Sequence, residues 1–420
     1  MMESSIALLA QLDLQGFVYL FWHYVIFDLS RYGLSVIAIL LAAPWERSSP
    51  DPSHRPAVSV LLVGFNEAKA LRRTVRSLGE QTHQNLELIL VDDGSIDRMR
   101  EIGGSLRRRG ELDRVVSTGI RGGKSSAINM GLEYARHDLV SIVDIDTTFD
   151  RDAFEQLVAG MADPQVGAVA GNLAVRNADT TLMARFQAIE YITSIALGRR
   201  FTAALGILSI VSGAFGVFRR QALRQIGGWD VGPGEDADIT DKLRRAGWAI
   251  EFAPHAWSMT DVPETLSGFT HQRLRWNRSV IRFRLRKYGA AFNPFWRGFR
   301  AENALAMANI LFYQVVLSIS FYVYIVWLFA TLGPHGALTV LGATMLIYIL
   351  QGLLVYCVAW IMSGPRAPLA YALYVPGQIL FSTFVQRGIR MIAYLDEWIF
   401  RRSYADPYVP SKVRDAAERF

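Results

Sequence analysis

Hydrophobic and polar positions fall into three regimes along this chain. From Asn303 to Val385, 83 residues hold a single formal charge, Arg366, and from Gly16 to Trp45 only Asp28 and Arg31 interrupt an apolar run. Between these stretches, Glu46–Glu302 carries 65 of the 82 charges in 257 residues, an ordinary soluble density. A hydrocarbon layer about 30 Å thick needs roughly 20 apolar residues in a helix. Gly16–Ala43 meets that requirement, as do Ala304–Leu332 and Ala337–Met362, which are joined by an uncharged turn at Gly333–Pro334. Leu369–Val385 is shorter and interrupted at Pro376–Gly377, so it either spans or re-enters. The pattern predicts a globular domain set between membrane segments and excludes a fully soluble protein.

Inside the polar middle the period changes. Ala57–Gly64 (AVSVLLVG), Leu86–Val91 (LELILV), Asp138–Val143 (DLVSIV) and Val166–Val175 are continuous apolar runs, the mark of strands buried on both faces. Asn66–Leu78 and Lys124–Ala135 have helical spacing. Strands alternating with helices predict a parallel α/β sheet with right-handed crossovers, and ligands bind at the carboxyl ends of such strands.

Charge refines the picture. The formal net charge is +6, but the excess is local: Thr270–Arg300 holds nine Lys/Arg and no Asp/Glu, interleaved with Trp276, Phe283, Tyr288, Phe292, Phe295, Trp296 and Phe299. Directly before an apolar span this predicts helices lying in the headgroup layer, in contact with membrane lipid and not nucleic acid. The first 15 residues contain Glu3 and Asp13 and no Lys or Arg, so no signal-peptide n-region is predicted. Arg47 and Arg55 follow the first segment, which puts the N-terminus outside and the globular domain in the cytoplasm. The basic tail (Arg387, Arg390, Arg401, Arg402, Lys412, Arg414, Arg419) favours the cytoplasm, whereas three crossings after the domain put it outside. Asp28 and Arg31, three apart, are expected to pair on one helix face. A lone cysteine, Cys357, excludes a disulfide framework and a multi-Cys zinc site.

The candidate chemistry sits at the predicted strand ends. Asp144 and Asp146, two apart, can share one hard divalent cation, Mg²⁺ or Mn²⁺, which such sites bridge to substrate phosphates. Asp92-Asp93-Gly94-Ser95 ends the preceding strand and suggests a nucleotide pocket. Arg121-Gly122-Gly123-Lys124 opens a helix whose N-terminus favours anions, without the spacing of an NTPase loop. Gly234-Glu235-Asp236-Ala237-Asp238 crowds three carboxylates, which raises their pKa values and supplies a general base. Gln272-Arg273-Leu274-Arg275-Trp276 offers a guanidinium fork for a pyrophosphate and a flat indole face for a sugar ring.

In this order the motifs VDDGS (Val91–Ser95), GGKSSAINMGL (Gly122–Leu132), DID (Asp144–Asp146), QAIEY (Gln187–Tyr191), SGAFGVFRR (Ser212–Arg220), GED (Gly234–Asp236) and QRLRW (Gln272–Trp276) resemble the membrane-bound family 2 glycosyltransferases. These are the processive β-glycan synthases of cellulose, hyaluronan, chitin oligosaccharides and poly-N-acetylglucosamine. The resemblance implies an α/β GT-A (Rossmann-like) domain inserted between transmembrane helices in a multi-pass protein of the cell membrane. The expected divisions are an N-terminal transmembrane segment at 1–45, a cytoplasmic GT-A domain at 46–269 and QxxRW interface helices at 270–302. C-terminal transmembrane segments at 303–386 and an interfacial helix and tail at 387–420 complete the chain.

It further implies an inverting transfer from a UDP-sugar. Asp92, Asp93, Lys124 and Arg275 would bind the donor, Asp144 and Asp146 the metal and diphosphate, and Asp236 would be the base. Glu235, Gln272, Arg273 and Trp276 would bind the acceptor, a growing glycan or a lipid. The chain departs from the pattern in two places: Gly234 stands where the family's TED has Thr, and Ser279 stands where some members have Gly. There is no room for a regulatory cyclic-dinucleotide module, and accessory export subunits are possible partners. Tyr313, Phe321, Tyr322, Tyr324 and Trp327 are candidate linings of a glycan path or plain bundle packing. The main expectation is a polysaccharide synthase. The alternatives are an enzyme making a glycolipid, as in the similar ceramide glucosyltransferases, and a non-catalytic scaffold.

Overall fold

The computed structural model describes residues 12–42, 54–230, 232, 234–296, 298–405 and 409–416. Glu3, Ala43, Trp45, Glu46, Arg47 and Arg419 of the sequence lie outside the described residues.

The globular part is built on one eight-stranded sheet of order β3-β2-β1-β4-β7-β6-β8-β5. The strands are β1 (Val58–Gly64), β2 (Leu86–Asp92), β3 (Arg114–Ser117), β4 (Leu139–Asp144), β5 (Thr148–Phe149), β6 (Val166–Val175), β7 (Phe215–Arg219) and β8 (Ala249–Thr260). The expected strands are present and β1–β4 pair in parallel, as β1 with β2, β1 with β4 and β2 with β3. The sheet as a whole is mixed, however: β7 runs antiparallel to both β4 and β6. The reason lies in the chain between β6 and β7. It does not cross back over the sheet but forms helices Leu182–Glu190 and Leu197–Ala204 beside the apolar helices, so β7 starts from the end of the sheet at which β6 finished.

Side chains alternate across β1. Val58, Val60 and Leu62 join Leu71, Val75, Phe154 and Leu157 on one face, and Leu61 and Val63 join Ala127, Ile128, Ile239 and Leu243 on the other. Burial on both faces is why these strands read as unbroken apolar runs.

Two stretches, Tyr24–Leu41 and Ala301–Arg366, are long and apolar enough to cross a membrane. The second is a hairpin. Gly333, at φ +68°, reverses the helix, so that Leu328 packs against Ala337 and Val340. Asp28 does not pair with Arg31. It accepts from Tyr348 Oη at 2.6 Å and Arg387 Nη2 at 2.8 Å, while Arg31 donates to the Tyr313 carbonyl at 2.8 Å. The stretch Tyr24–Leu34 winds in wide π turns, and residues three apart there no longer share a face.

The third apolar segment packs along the bundle and is tied to the globular part near both of its ends. Pro376 does not break it; it stands in the first turn of helix Val375–Leu380, where a missing N–H costs nothing, and helical backbone continues through Arg387–Phe400. Just before it, Arg366 pairs with Asp150 and Tyr371 bonds Asp179, both of the globular domain. At its far end Asp396 and Glu397 pair with Arg278 and Arg286 of the helices following β8. Both ends therefore lie on the globular side, and so does the tail beyond them.

Candidate active site

The carboxyl ends of β1, β2 and β4 open into a cavity of about 330 Å³ lined by Phe65, Glu67, Asp93, Arg121–Ser125, Asp144, Asp146, Glu235 and Arg275. Asp93 shapes its floor: its carboxylate accepts the Gly122 and Gly123 amides at 2.7 and 2.8 Å, tying the glycine loop to the end of β2. Burial raises its pKa against the pull of those two amides. Asp92 stands behind the cavity and does not line it. It is 1% exposed, and its two oxygens accept from the Ser95 amide and the Ser117 hydroxyl, both at 2.9 Å.

Lys124, first residue of helix Lys124–Tyr134, gathers the acidic groups. Its Nζ lies 2.7 Å from Asp144 Oδ1 and 3.4 Å from Glu235 Oε1. Burial disfavours its charge, but Asp144, Asp236 and Glu235 outweigh burial and hold its pKa above the usual lysine range. Asp236 is in the first turn of helix Glu235–Arg245, and its Oδ2 accepts the Gly213 amide at 2.8 Å. A Cβ on Gly213 would stand 2.7 Å from both Asp236 Oδ1 and Lys124 Nζ, so only glycine lets the two groups face each other there. Burial pushes the Asp236 carboxyl up to about 7, with Lys124 opposing and Glu235 assisting. Such a carboxyl is poised to take a proton near neutrality.

Asp144 ends β4. Asp146, two residues on, receives long contacts from the hydroxyls of Thr147 at 3.2 Å and Thr260 at 3.4 Å, and burial followed by Asp144 raises its pKa. No cluster of three or more His, Cys, Asp or Glu side chains suited to a metal exists among the described residues. Two carboxylates have the hard oxygens a divalent cation prefers, but they would hold one only with further ligands from outside the chain.

The QRLRW residues divide. Arg275 lines the cavity, and Gln272 keeps a buried, unpartnered Oε1. Trp276 leaves 37% of its surface open. Arg273 turns away from the cavity: it pairs with the buried Glu190 at 2.8 Å and stacks its guanidinium on the rings of Phe269 and Trp276. Glu190 also receives Gln386, which ties the QAIEY helix to the membrane bundle.

Three features escaped the sequence reading. Glu67, after β1, enters the cavity wall, and burial together with Asp146 and Asp144 pushes it up to about 7. The rule that ligands bind at strand ends applied to β1 would have found it. Phe65 carries the Arg121 guanidinium on its ring, 4.3 Å from the centroid. Val409 and Val413 of the tail close one side of the cavity, and no local pattern signals that docking.

The profile described as Glycosyl transferase family 2 matches residues 59–227. Among curated proteins, the chain is 30% identical over 271 residues to the poly-beta-1,6-N-acetyl-D-glucosamine synthase of Staphylococcus epidermidis, covering 64% of this chain and 63% of that protein. It is 32% identical over 221 residues to the protein of the same name in Staphylococcus aureus strain COL, covering 52% and 53%. The matched stretch thus spans less than two thirds of these relatives. Among solved structures, a mannosyltransferase from Pyrobaculum calidifontis in complex with GDP-Man and Mn²⁺ superposes with a TM-score of 0.57 at 19% identity, over 87% of this chain and 99% of that one. That likeness carries the fold. Residues 59–227 of this chain thus match a glycosyl transferase family 2 domain, and the fold is GT-A.

Proposed function

We propose that this protein is a processive, inverting β-glycosyltransferase. It polymerises a UDP-activated sugar of the glucose or N-acetylglucosamine type and passes the product across the membrane. The observation that carries the reading is the arrangement of the site: Asp144 at the end of β4 and Lys124 at a helix start line a cavity with Arg275, Asp236 lies beside Lys124, and the helix that bears Arg275 and Trp276 packs on the apolar helices. The polymer-forming relatives favour this over glycolipid synthesis, and the retained acidic residues disfavour a non-catalytic scaffold.

The steps follow from the groups present. The glycine loop held by Asp93 and the wall of Phe65 and Arg121 receive the nucleotide. Arg275 and Lys124 stand where the diphosphate leaves and offset its charge. The acceptor hydroxyl, stacked near Trp276, attacks the anomeric carbon from the side opposite the diphosphate. As the new C–O bond forms, Asp236 takes the hydroxyl proton and the old C–O bond breaks with its electrons going to UDP. Asp144 and Asp146 would hold a divalent cation, Mg²⁺ or Mn²⁺, which supplies further neutralisation of the diphosphate when bound.

A second cavity of about 90 Å³ lies in the bundle, its lining divided between apolar residues such as Ile189, Leu317, Val355 and Val375 and polar ones such as Asp28, Glu190, Gln351, Gln378, Thr383 and Gln386. Side chains of this kind suit sugar hydroxyls and support passage of the glycan here. The aromatic residues Tyr313, Phe321, Tyr322, Tyr324 and Trp327 are not among its lining residues; Phe321 and Tyr324 are fully buried in bundle packing. With the third segment returning to the globular side, the protein crosses the membrane three times. The N-terminus is then outside, and the catalytic domain and basic tail are in the cytoplasm. Phe295, 93% exposed, and Trp296 rest at the headgroup layer.

The test is turnover by the purified protein with Mn²⁺ or Mg²⁺ and a panel of labelled UDP-sugars, with products separated into polymer and lipid fractions. Label in polymer from one donor, absent in Asp236→Asn, is the expected result. Label confined to lipid would replace this reading with glycolipid synthesis.

A further inference from the structure

Gly234 and Ser279 lie against each other where two helices meet. Gly234 sits at φ +87°, ψ 27° as the residue before helix Glu235–Arg245, and its carbonyl accepts the first amides of that helix, from Ala237 and Asp238. A Cβ on Gly234 would stand 2.6 Å from Ser279 Cβ, 2.9 Å from Ser279 Oγ and 2.9 Å from Phe283 Cε2. Carbon atoms do not approach so closely, so a side chain at 234 and one at 279 compete for one space. Ser279 cannot easily yield, because it is buried and its hydroxyl is spent on the Trp276 carbonyl at 2.6 Å. Gly232 meets the same helix: its Cβ would stand 2.8 Å from Arg282 Nη2.

We propose that Gly234 and Ser279 are a matched pair whose contact positions Asp236 over the acceptor platform. The inference rests on the reading of Asp236 as the base. Asp236 lies two residues past Gly234 in one rigid helical turn, and Trp276 lies one turn before Ser279 on the same helix. The 234–279 contact is thus the bearing between the element that carries the base and the element that carries the acceptor platform. A side chain at 234 would press on Ser279 and Phe283 and push the two elements apart. Both residues are positioning residues; neither touches substrate.

The test is a double-mutant cycle on the full-length protein in detergent: wild type, Gly234→Ala, Ser279→Gly and the double variant. The strain of alanine at positive φ is common to both Gly234→Ala proteins, so the cycle cancels it and leaves the contact. A misplacement approaching 1 Å costs on the order of 10²-fold. Gly234→Ala is therefore expected to lose about 10- to 100-fold in kcat with the donor KM little changed, and Ser279→Gly is expected to restore the part of the loss that comes from the 279 contact, leaving the part due to positive φ and to Phe283. Equal losses in the two backgrounds would overturn the proposal, leaving backbone strain as the cause. So would a matching rise in the donor KM, which would mean general damage to the site. If Gly234→Ala fails to fold, the larger Ser279→Val reads the same contact from the other side, with the same split of kcat from KM expected. Asp236→Asn is run beside the cycle: turnover by that variant with normal donor binding would remove the base assignment, whereas the coupling between 234 and 279 would still stand or fall on the cycle.

Discussion

The ammonium of Lys124 lies 2.7 Å from Asp144 and 3.4 Å from Glu235, and it faces Asp236 across the gap left by Gly213. One cation thus joins the end of β4 to the start of the helix that carries Asp236. Lys124→Met is expected to lower kcat/KM by about 10²-fold or more, the scale of removing one electrostatic stabiliser. Lys124→Arg is expected to recover part of that. Steady-state kinetics with the sugar found active checks it, and a loss below threefold would remove Lys124 from the site's working parts.

The Asp236 carboxyl, pushed up to about 7 by burial, predicts the acid limb of the pH profile. Below that pH it already holds a proton and cannot accept another, so kcat/KM falls about tenfold per unit. Lys124 opposes the shift, so in Lys124→Met the limb moves to higher pH. The stability sign runs the other way. The folded chain holds this proton more tightly than the unfolded chain, whose ordinary value is 3.8. Its contribution to stability is therefore full below about 4 and lost as pH rises through about 7. A pH–rate profile of the wild type and Lys124→Met decides; coincident limbs would show that Asp236 is not the titrating group.

Arg273 and Arg275 are neighbours in one motif with different work. Arg273→Met strands Glu190, a buried carboxylate, and breaking such a pair costs about 3–5 kcal/mol. The expected result is a lowered unfolding temperature in detergent. Arg275→Met, facing the cavity, is expected to raise the donor KM and lower kcat with the unfolding temperature unchanged. Thermal unfolding and kinetics of the two variants check the division, and interchanged phenotypes would refute it.

What the sequence makes legible here follows from period and position. Asp93, Asp144 and Asp146 are readable because continuous apolar runs mark buried strands and ligands collect at their carboxyl ends. Residues whose meaning depends on distant chain are not readable. Asp28 takes its partner 359 positions away in Arg387, although Arg31 sits three residues off. The direction of β7 depends on where the intervening helices dock. Asp92 has the look of a ligand but is consumed by Ser95 and Ser117, and Arg273 by Glu190. In each case composition offers the right chemistry, and tertiary packing decides which group is left free to use it.

The tail topology is open to a direct experiment. Counting apolar segments gives three crossings after the globular domain and a tail on the far side. The contacts give two: Arg366–Asp150 precedes the third segment, Arg278–Asp396 and Arg286–Glu397 close it, and Val409 and Val413 reach the catalytic cavity. A segment held near one end to Asp150 of the globular part and at the other to the helices that follow β8 is expected to stay on one side of the bilayer. Cys357 is the lone cysteine, so Cys357→Ser provides a silent background for single cysteines at Ala162 in the globular domain, Thr331 by the hairpin turn and Ser411 in the tail. A membrane-impermeant maleimide applied to sealed vesicles of one orientation is expected to label the Ala162 and Ser411 positions together and the Thr331 position alone from the opposite face. Labelling of Ser411 together with Thr331 would make the third segment a true span and would detach the tail from the active site.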